Sequence, residues 1–194
     1  MAVKLITLSN NRTPIKKSNK NLEPQCISIV SGGFDPIHEG HIQYINEASK
    51  FGKVIVILNT DEWLLRKKNY AFMPYETREC ILKNLKNVFD VIMAEDSDDS
   101  VCESLLQIRH LYPNHKLFFC NGGDRKNTNT PEIDICKANN IELKFGIGGE
   151  KSNSSSALIK KYTIEFLQKN SRRIKNSIKQ HKPIFEENTY SSGE

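Results

Sequence analysis

The chain has 194 residues, of which 38% are hydrophobic and 26% charged, and its formal net charge is +5. This length and composition are typical of one soluble globular domain with an adequate core and room for tails. No apolar run approaches the ~18 residues that a membrane-spanning helix needs, so no transmembrane segment is predicted.

The segment before the first strand differs from the rest of the chain. Residues 1–23 are polar and carry several lysines, which predicts a flexible arm. Its apolar stretch is too short for a secretory signal. The cysteines are scattered, with no Cys-x-x-Cys pair: Cys26, Cys80, Cys102, Cys120 and Cys136. We therefore expect free thiols in a reducing compartment, the cytoplasm, and no structural zinc site.

Short apolar runs alternate with helical patterns along the remaining chain. The runs predicted as strands are 25–30, 54–58, 88–93, 116–120 and 141–145. This alternation predicts an α/β fold in which a parallel sheet has helices on both faces. Ligands of such sheets bind beyond the carboxyl ends of the strands, where the strand order reverses, and we expect the first strand at that point.

The turn after the first strand carries the most informative motif. Gly32-Gly33 is predicted to break the strand, and an apolar pattern at helical spacing follows from Ile42, so His38 and His41 open the first helix. The first-turn amides offer unsatisfied N–H groups and the positive end of the helix dipole. Gly40, which has no side chain, would let a ligand approach the helix backbone. The motif predicts an anion site, although such a histidine pair can also be a cap or a surface pair.

Nucleotidyl transfer is a reaction that suits this arrangement. Charge builds on the α-phosphate and the bridging oxygen of a nucleoside triphosphate (NTP) as pyrophosphate departs, and imidazole donors and backbone amides would stabilise it. An acceptor that is a phosphate monoester is already largely anionic at pH 7, because its second pKa is near ~6. No protein nucleophile or base is then required.

Residues 33–41, Gly-Phe-Asp-Pro-Ile-His-Glu-Gly-His, resemble the G-x-F-D-x-x-H-x-G-H signature of the cytidylyltransferase-like nucleotidyltransferases. Further matching segments follow in the family's order: Asn59-Thr60-Asp61-Glu62, Pro74-Tyr75-Glu76-Thr77-Arg78, Asn121-Gly122-Gly123-Asp124 and Asn153-Ser154-Ser155-Ser156. The resemblance implies a Rossmann-like domain of the HxGH nucleotidyltransferase type over residues 24–162.

The resemblance also implies roles for individual residues. His38 and His41 would be catalytic, and Lys67 or Lys68 would bind the phosphate of the acceptor. The nucleotide-binding residues would be Gly32, Gly33, Phe34, Asp35, Gly40, Gly123, Asp124, Ser154, Ser155 and Ser156.

Several of these residues also have a plainer interpretation. Arg66-Lys67-Lys68 lies in a stretch without clear periodicity, which we predict to be a loop, and a charge run is often a solvated surface. Asp124 either accepts from ribose hydroxyls or is a turn aspartate. The serines before the last helix would in any case cap it. Arg78 matches a family arginine, which we interpret as structural rather than as a substrate ligand.

The sequence does not identify which nucleoside triphosphate is the donor or which phosphorylated compound is the acceptor. Cytidylyltransferases for glycerol-3-phosphate and related alcohol phosphates carry an arginine where this chain has Gly149, and Lys151 would not reproduce its bidentate geometry. Heptose-1-phosphate adenylyltransferases also lack that arginine, which tilts the interpretation slightly from CTP to ATP. The acceptor would be a sugar, polyol or amino-alcohol phosphate. We expect Mg²⁺ only with the NTP phosphates, without a protein ligand, and a homodimer by analogy alone.

Residues 163–194 are predicted to form a basic amphipathic helix and tail. Apolar residues recur there at roughly helical spacing among lysines and arginines: Ile164, Leu167, Ile174 and Ile178. This segment carries the alternative function, a nucleotide-sensing module that docks on an anionic membrane or nucleic acid. We favour packing against the domain or a second subunit, because the apolar face is thin and lacks tryptophan.

Overall fold

The computed structural model describes residues 25–123, 131–149 and 154–180, with side chains as far as residue 173. The strands are β1 (Cys26–Gly32), β2 (Lys53–Leu58), β3 (Val88–Met93), β4 (Lys116–Gly122) and β5 (Ile141–Ile147). The helices are α1 (Glu39–Ala48), α2 (Asp61–Lys68), α3 (Tyr75–Lys83), α4 (Cys102–Leu111), α5 (Ile133–Ala138) and α6 (Ser155–Gln180). The predicted arm at residues 1–23 lies outside the described residues.

All five strands form one parallel sheet in the order β3-β2-β1-β4-β5. The chain builds outward from β1 to β3 and then crosses to the other side of β1 for β4. The strand order therefore reverses between β1 and β4. The predicted parallel sheet is confirmed, and β1 lies at the reversal, where α/β proteins bind their ligands.

Helices cover both faces of the sheet because successive residues of a strand point to opposite sides. In β1, Ile27 and Ile29 belong to one buried cluster with residues of α4 and α5, whereas Val30 belongs to another with residues of α1 and α3. The isoleucines and valines of β2 divide between the same two clusters. The predicted two-sided packing is thus confirmed, and the central strand is buried on both faces.

The end of β1 lies further along the chain than the glycine pair predicts. Ser31 and Gly32 remain in the strand, where they pair with Ile57 and Leu58 of β2. The neighbouring strand extends far enough to hold them, and this pairing outweighs the conformational freedom of glycine. The turn toward α1 therefore begins at Gly33.

The basic run Arg66-Lys67-Lys68 was predicted to be a loop, and this prediction is wrong: it is the last turn of α2. The helix begins where the Thr60 hydroxyl accepts from the Trp63 amide at 3.1 Å, and it ends at Asn69, whose φ is +63°. Only Leu64 is buried among its eight residues. A helix this short with one buried residue shows no apolar periodicity, which is why the sequence did not reveal it.

The last helix extends across the predicted domain boundary after residue 162. α6 is continuous from Ser155 to Gln180, so a boundary after residue 162 falls inside one helix. Its first residue is buried, whereas nearly all of residues 160–173 are exposed. Among the helices of the described ranges, none combines the length and apolar character needed to cross a bilayer.

Candidate active site at the carboxyl edge of the sheet

The turn between β1 and α1 is held in place by close packing. A Cβ on Gly33 would lie 2.7 Å from Cδ2 of Leu64, so any other residue here would force the buried Leu64 side chain of α2 to move. Phe34 has a φ of +48°, in the left-handed region, and its side chain is buried. The Phe34 and His41 ring centroids are 4.9 Å apart. The turn thus presents a fixed surface to the start of α1.

Two histidines form a reciprocal capping box at the start of α1. His38 is the N-cap residue, and its Nδ1 accepts from the Gly40 amide at 3.1 Å. His41 reaches back, and its Nδ1 accepts from the His38 amide at 3.3 Å. The two rings stack with centroids 3.9 Å apart. The pair therefore does cap the helix, and the cap uses Nδ1 of each ring.

These hydrogen bonds assign the proton of each neutral ring. A neutral imidazole has one N–H donor and one acceptor nitrogen, and Nδ1 is the acceptor in both rings. By this hydrogen-bond assignment, the proton is on Nε2 of His38 and on Nε2 of His41. Both side chains are partly exposed. The cap uses Nδ1 of each ring and does not use Nε2.

Gly40 has a role beyond leaving room for a ligand. A Cβ at this position would lie 3.0 Å from Cε1 and 3.2 Å from Nδ1 of His38. Both contacts are tighter than ordinary van der Waals contacts, so the ring would have to move. The sequence suggested that Gly40 lets a nucleotide approach; in the structure it also lets the His38 ring lie over the first turn.

Asp35 holds the loop between α2 and α3 against the histidine turn. The residue is fully buried, and its carboxylate accepts from the Phe72 amide at 2.8 Å and the Met73 amide at 2.7 Å. Lys68 Nζ donates to the Asp35 carbonyl at 3.1 Å. The sequence assigned Asp35 to nucleotide binding; in the structure its carboxylate positions a loop and its carbonyl positions a lysine.

The two candidate lysines occupy different positions on α2. Lys68 is partly buried and contacts the backbone of the histidine turn. Lys67 is exposed, and its Nζ lies 6.0 Å from the centroid of the Trp63 ring. Consecutive helix residues point about 100° apart, so the structure brings Lys68, and not Lys67, to the turn.

Arg78 joins three segments at this edge of the sheet. Its side chain is fully buried. The guanidinium donates to three backbone carbonyls and one carboxylate: Gly33 at 2.7 Å, Asn59 at 2.9 Å, Met73 at 3.0 Å and Asp61 at 2.5 Å. The structural interpretation of this arginine is confirmed, and the arginine fixes the turn after β1 relative to the end of β2.

The first turn of α6 is attached to the loop before His38. The Ser155 hydroxyl donates to the Pro36 carbonyl at 3.0 Å, and the Ser154 hydroxyl caps α6 by accepting a backbone amide at 3.2 Å. Ser156 is exposed, with its hydroxyl 3.4 Å from that of Tyr70. No acidic residue lies in this first turn. The loop that leads into α1 therefore also contacts the N-terminus of α6.

The carboxyl ends of β4 and β5 lie on the other side of β1. Tyr44 of α1 donates its hydroxyl to the Cys120 carbonyl. Gly123 follows β4 with a φ of +63°, and Gly149 follows β5 with a φ of +71°. Asp124, which the sequence assigned to the nucleotide, lies outside the described residues.

A buried carboxylate at the end of β2 was not predicted. Asp96 accepts from the Thr60 amide and the Thr60 hydroxyl, each at 2.9 Å, and from the Asn59 side chain at 3.0 Å. Asn59 and Thr60 belong to a matched motif, but Asp96 stands in an acidic run that resembles a solvated loop. No local pattern indicates its partner, which lies 36 residues earlier in the chain.

Fold and site together define a Rossmann-like α/β domain with a histidine capping box at the reversal of strand order. The cytidylyltransferase-like family model matches residues 29–192, and the chain belongs to this family. The resemblance seen in the sequence motifs is confirmed.

Curated relatives share parts of the chain. It is 38% identical over 65 residues to a glycerol-3-phosphate cytidylyltransferase from Bacillus subtilis, covering 33% of this chain and 50% of the relative. It is 33% identical over 70 residues to an FAD synthase from Ferroglobus placidus, and this match covers 36% of this chain and 46% of the relative. A match of 139 residues at 31% identity covers 70% of this chain and 27% of the bifunctional protein HldE from Actinobacillus pleuropneumoniae. The chain spans about half the length of the first two relatives.

Proposed function

We propose that the protein is a nucleotidyltransferase that moves a nucleoside monophosphate from ATP or CTP to a small phosphorylated acceptor and releases pyrophosphate. One observation carries the proposal: the capping box gives His38 and His41 the same Nε2–H tautomer at the N-terminus of α1. A pair of Nε2–H donors whose rings are held at a helix N-terminus suits charge that develops on phosphoryl oxygens.

The surroundings of the histidines favour a polyanion. The hydrogen bond from Ser155 to Pro36 holds the N-terminus of α6 against the loop that leads into α1. The N-terminus of a helix attracts anions. In this proposal the triphosphate lies at these N-termini, in reach of Ser154 and Ser156. Ser155 acts through its position, because its hydroxyl already donates to a carbonyl. Lys68 binds the acceptor phosphate.

The reaction is an in-line displacement at phosphorus. An oxygen of the acceptor phosphate attacks the α-phosphorus of the NTP, and the bond from that phosphorus to the bridging oxygen breaks. Pyrophosphate leaves with that oxygen and its bonding electrons. The Nε2–H groups of His38 and His41 stabilise the negative charge on the α-phosphate and the bridging oxygen. No protein group has to remove a proton, since the acceptor is largely anionic at pH 7, its second pKa being near ~6.

Mg²⁺ enters this proposal as part of the substrate. Within the residues that the structure describes, no group of three or more potential ligands is placed to hold a metal ion. The carboxylates of Asp35 and Asp96 already accept backbone amides. These residues do not fit a protein magnesium site, whereas Mg²⁺ commonly binds through substrate phosphates and keeps several waters.

The name of one relative indicates a class of acceptor, and the backbone of Gly149 indicates the nucleotide. Glycerol-3-phosphate, in the name of the Bacillus subtilis relative, is a polyol phosphate and belongs to the proposed acceptor class. The backbone of Gly149 has a φ of +71°, so an arginine at this position would be strained. We therefore place ATP before CTP. The scattered positions of the cysteines in the sequence, without a Cys-x-x-Cys pair, support a reducing compartment, the cytoplasm.

A pyrophosphate-release assay tests the proposal. The full chain and Mg²⁺ are incubated with each of four NTPs, crossed with sugar, polyol and amino-alcohol phosphates. The His41→Ala variant, prepared identically, controls for contaminating activity. Release that needs both NTP and acceptor, and that the variant loses, supports the proposal. No release in any combination overturns it, and binding of such an inactive chain to anionic vesicles or DNA through α6 would establish the nucleotide-sensing alternative.

A further inference from the structure

Two residues of α1 attach this helix to the ends of β4 and β5. Tyr44 donates its hydroxyl to the carbonyl of Cys120 in β4, and the carboxylate of Glu47 accepts from the backbone amide of Gly148, directly after β5. Residues three apart lie on the same face of a helix, so one face of α1 contacts both strand ends. The helix that begins with the histidine pair therefore also supports these two ends.

Glycines let the backbone of both strand ends approach Tyr44 closely. A Cβ on Gly122 would lie 3.2 Å from Cδ2 of Tyr44, and a Cβ on Gly148 would lie 3.0 Å from its Cα. The backbone of Gly148 has a φ of +90°, in the region that favours glycine. The chain thus leaves β5 directly against α1, and Glu47 binds the amide at this point.

The segment after Gly148 leads to the N-terminus of α6, where the triphosphate is proposed to lie. Five residues separate Gly148 from Ser154, so the segment can reach at most about 20 Å. Residues 150–153 lie outside the described residues. The segment is attached at both ends, because Glu47 binds Gly148 and the Ser155 hydroxyl donates to the Pro36 carbonyl. Without Glu47, one of these two attachments is lost.

A carboxylate is an unfavourable choice close to a site for a polyanion, because its charge repels the phosphates. Glu47 is partly buried, and its carboxylate is bonded to the Gly148 amide. A hydrogen bond to a charged acceptor is stronger than one between neutral groups. The carboxylate therefore suits the task of holding the chain after β5, and it does not suit direct contact with the nucleotide.

We propose that Glu47 is a positioning residue for the NTP, which it serves by holding the chain after β5 against α1. This inference rests on the proposed function, because the site concerned is the NTP site proposed above. The bonds that orient His38 and His41 are made within the first turn of α1 and do not involve Glu47. A change at residue 47 should therefore weaken NTP binding while kcat and the KM for the acceptor stay near their parent values.

Binding of ATP and of CTP to the full chain, each with Mg²⁺ and without acceptor, tests the inference by isothermal titration calorimetry. Glu47→Ala should raise the dissociation constant ~10-fold, because the apparent affinity falls with the fraction of molecules in which the chain after β5 keeps its position. Glu47→Gln retains an oxygen that can accept from the Gly148 amide, and it should bind nearly as the parent does. If both variants bind the nucleotide more tightly than the parent, the carboxylate acts only through its charge and the inference is overturned.

Asn46→Ala is the matched control on the same helix. Asn46 is exposed, and its side chain accepts from the Asn87 side chain at 2.8 Å. The variant therefore loses a hydrogen bond of α1 that does not involve β4 or β5, and its dissociation constant should stay near the parent value. Urea unfolding compares the stability that the two alanine variants lose. Equal rises of the dissociation constant in both variants would make the role of Glu47 merely structural and overturn the inference.

Steady-state kinetics separate this inference from the proposed function. In Glu47→Ala the KM for the NTP should rise while kcat at saturating substrates is kept, and Glu47→Gln should restore the KM. A parent that turns over, together with a Glu47→Ala variant of unchanged NTP affinity or of equally reduced kcat, overturns the inference and leaves nucleotidyl transfer intact. A parent that binds neither ATP nor CTP overturns both.

Discussion

The backbone amide of Gly40 donates to Nδ1 of His38 at 3.1 Å, beneath a ring so close that a Cβ on Gly40 would lie 3.0 Å from Cε1. One residue thereby determines both the position of the ring and the nitrogen that carries its proton. The glycine of the motif is thus part of the histidine geometry, in addition to any space it leaves for a nucleotide.

Gly40→Ala should lower kcat while leaving the protein folded. The added methyl group displaces the His38 ring, and misplacement of a catalytic donor by a fraction of an ångström costs ~10-fold or more in rate. Stability should change by no more than ~1 kcal/mol, because alanine is the better helix former by about that amount. Pyrophosphate release and urea unfolding measure the two effects. Gln43→Ala, one turn further along the exposed side of α1, is the control and should keep the parent kcat.

Arg78→Met should destabilise the fold strongly. The substitution leaves three backbone carbonyls and the carboxylate of Asp61 without the buried guanidinium that they contact. Removing one partner of a buried ion pair costs about 3–5 kcal/mol. Lys83→Met, which breaks the more exposed pair with Glu79, is the control and should cost at most ~1 kcal/mol. Equal urea midpoints for the two variants would contradict the conclusion that Arg78 fixes the turn after β1 relative to the end of β2.

Lys68→Met should raise the KM for the acceptor by ~10-fold or more, or lower kcat if the contact tightens in the transition state. Lys67→Met should change neither parameter appreciably, because Lys67 is exposed and lies over the Trp63 ring. The KM for the NTP should stay near the parent value in both variants. Steady-state kinetics at saturating NTP separate these cases, and an equal loss of NTP affinity in Lys68→Met would contradict its assignment to the acceptor.

Burial raises the pKa of the Cys120 and Cys136 thiols to about 12. Because the thiolate is the reactive form, both residues should resist iodoacetamide at pH 8 in the folded protein. Cys80 is exposed and should be alkylated first. Mass spectrometry of tryptic peptides measures the order, and urea should make all three react at similar rates. Rapid alkylation of Cys120 under native conditions would show that β4 is less buried than described.

Continuous apolar runs made the sheet predictable from the sequence. β2 was predicted within one residue, because a strand buried on both faces needs apolar residues throughout. β3 was predicted at its observed residues, although it is an edge strand in which Phe89 and Met93 are exposed. α2 was not predicted, since its eight residues bury only Leu64. Its amphipathic signal is too weak to distinguish from a loop, although Thr60 is a normal N-cap residue.

The candidate site was predictable in its motif but not in its internal contacts. The motif located His38 and His41 at a helix start, yet their reciprocal hydrogen bonds depend on side-chain rotamers that residue spacing does not encode. Likewise, the carboxylate of Asp35 holds the Phe72 amide, 37 residues away in the chain. Contacts between segments this distant leave no local pattern, so residues that position the site were taken for residues that bind the nucleotide.

The turnover of His38→Ala and His41→Ala tests the central claim most directly. If their Nε2–H groups stabilise charge on the phosphates, each variant should lose ~10²-fold or more in kcat. The loss of a cap should lower the free energy of unfolding by only about 1 kcal/mol. Asparagine at either position should retain one donor and part of the rate. The opposite result, alanine variants that turn over like the parent but melt at a much lower temperature, would mean that the histidines only cap α1 and would contradict the account.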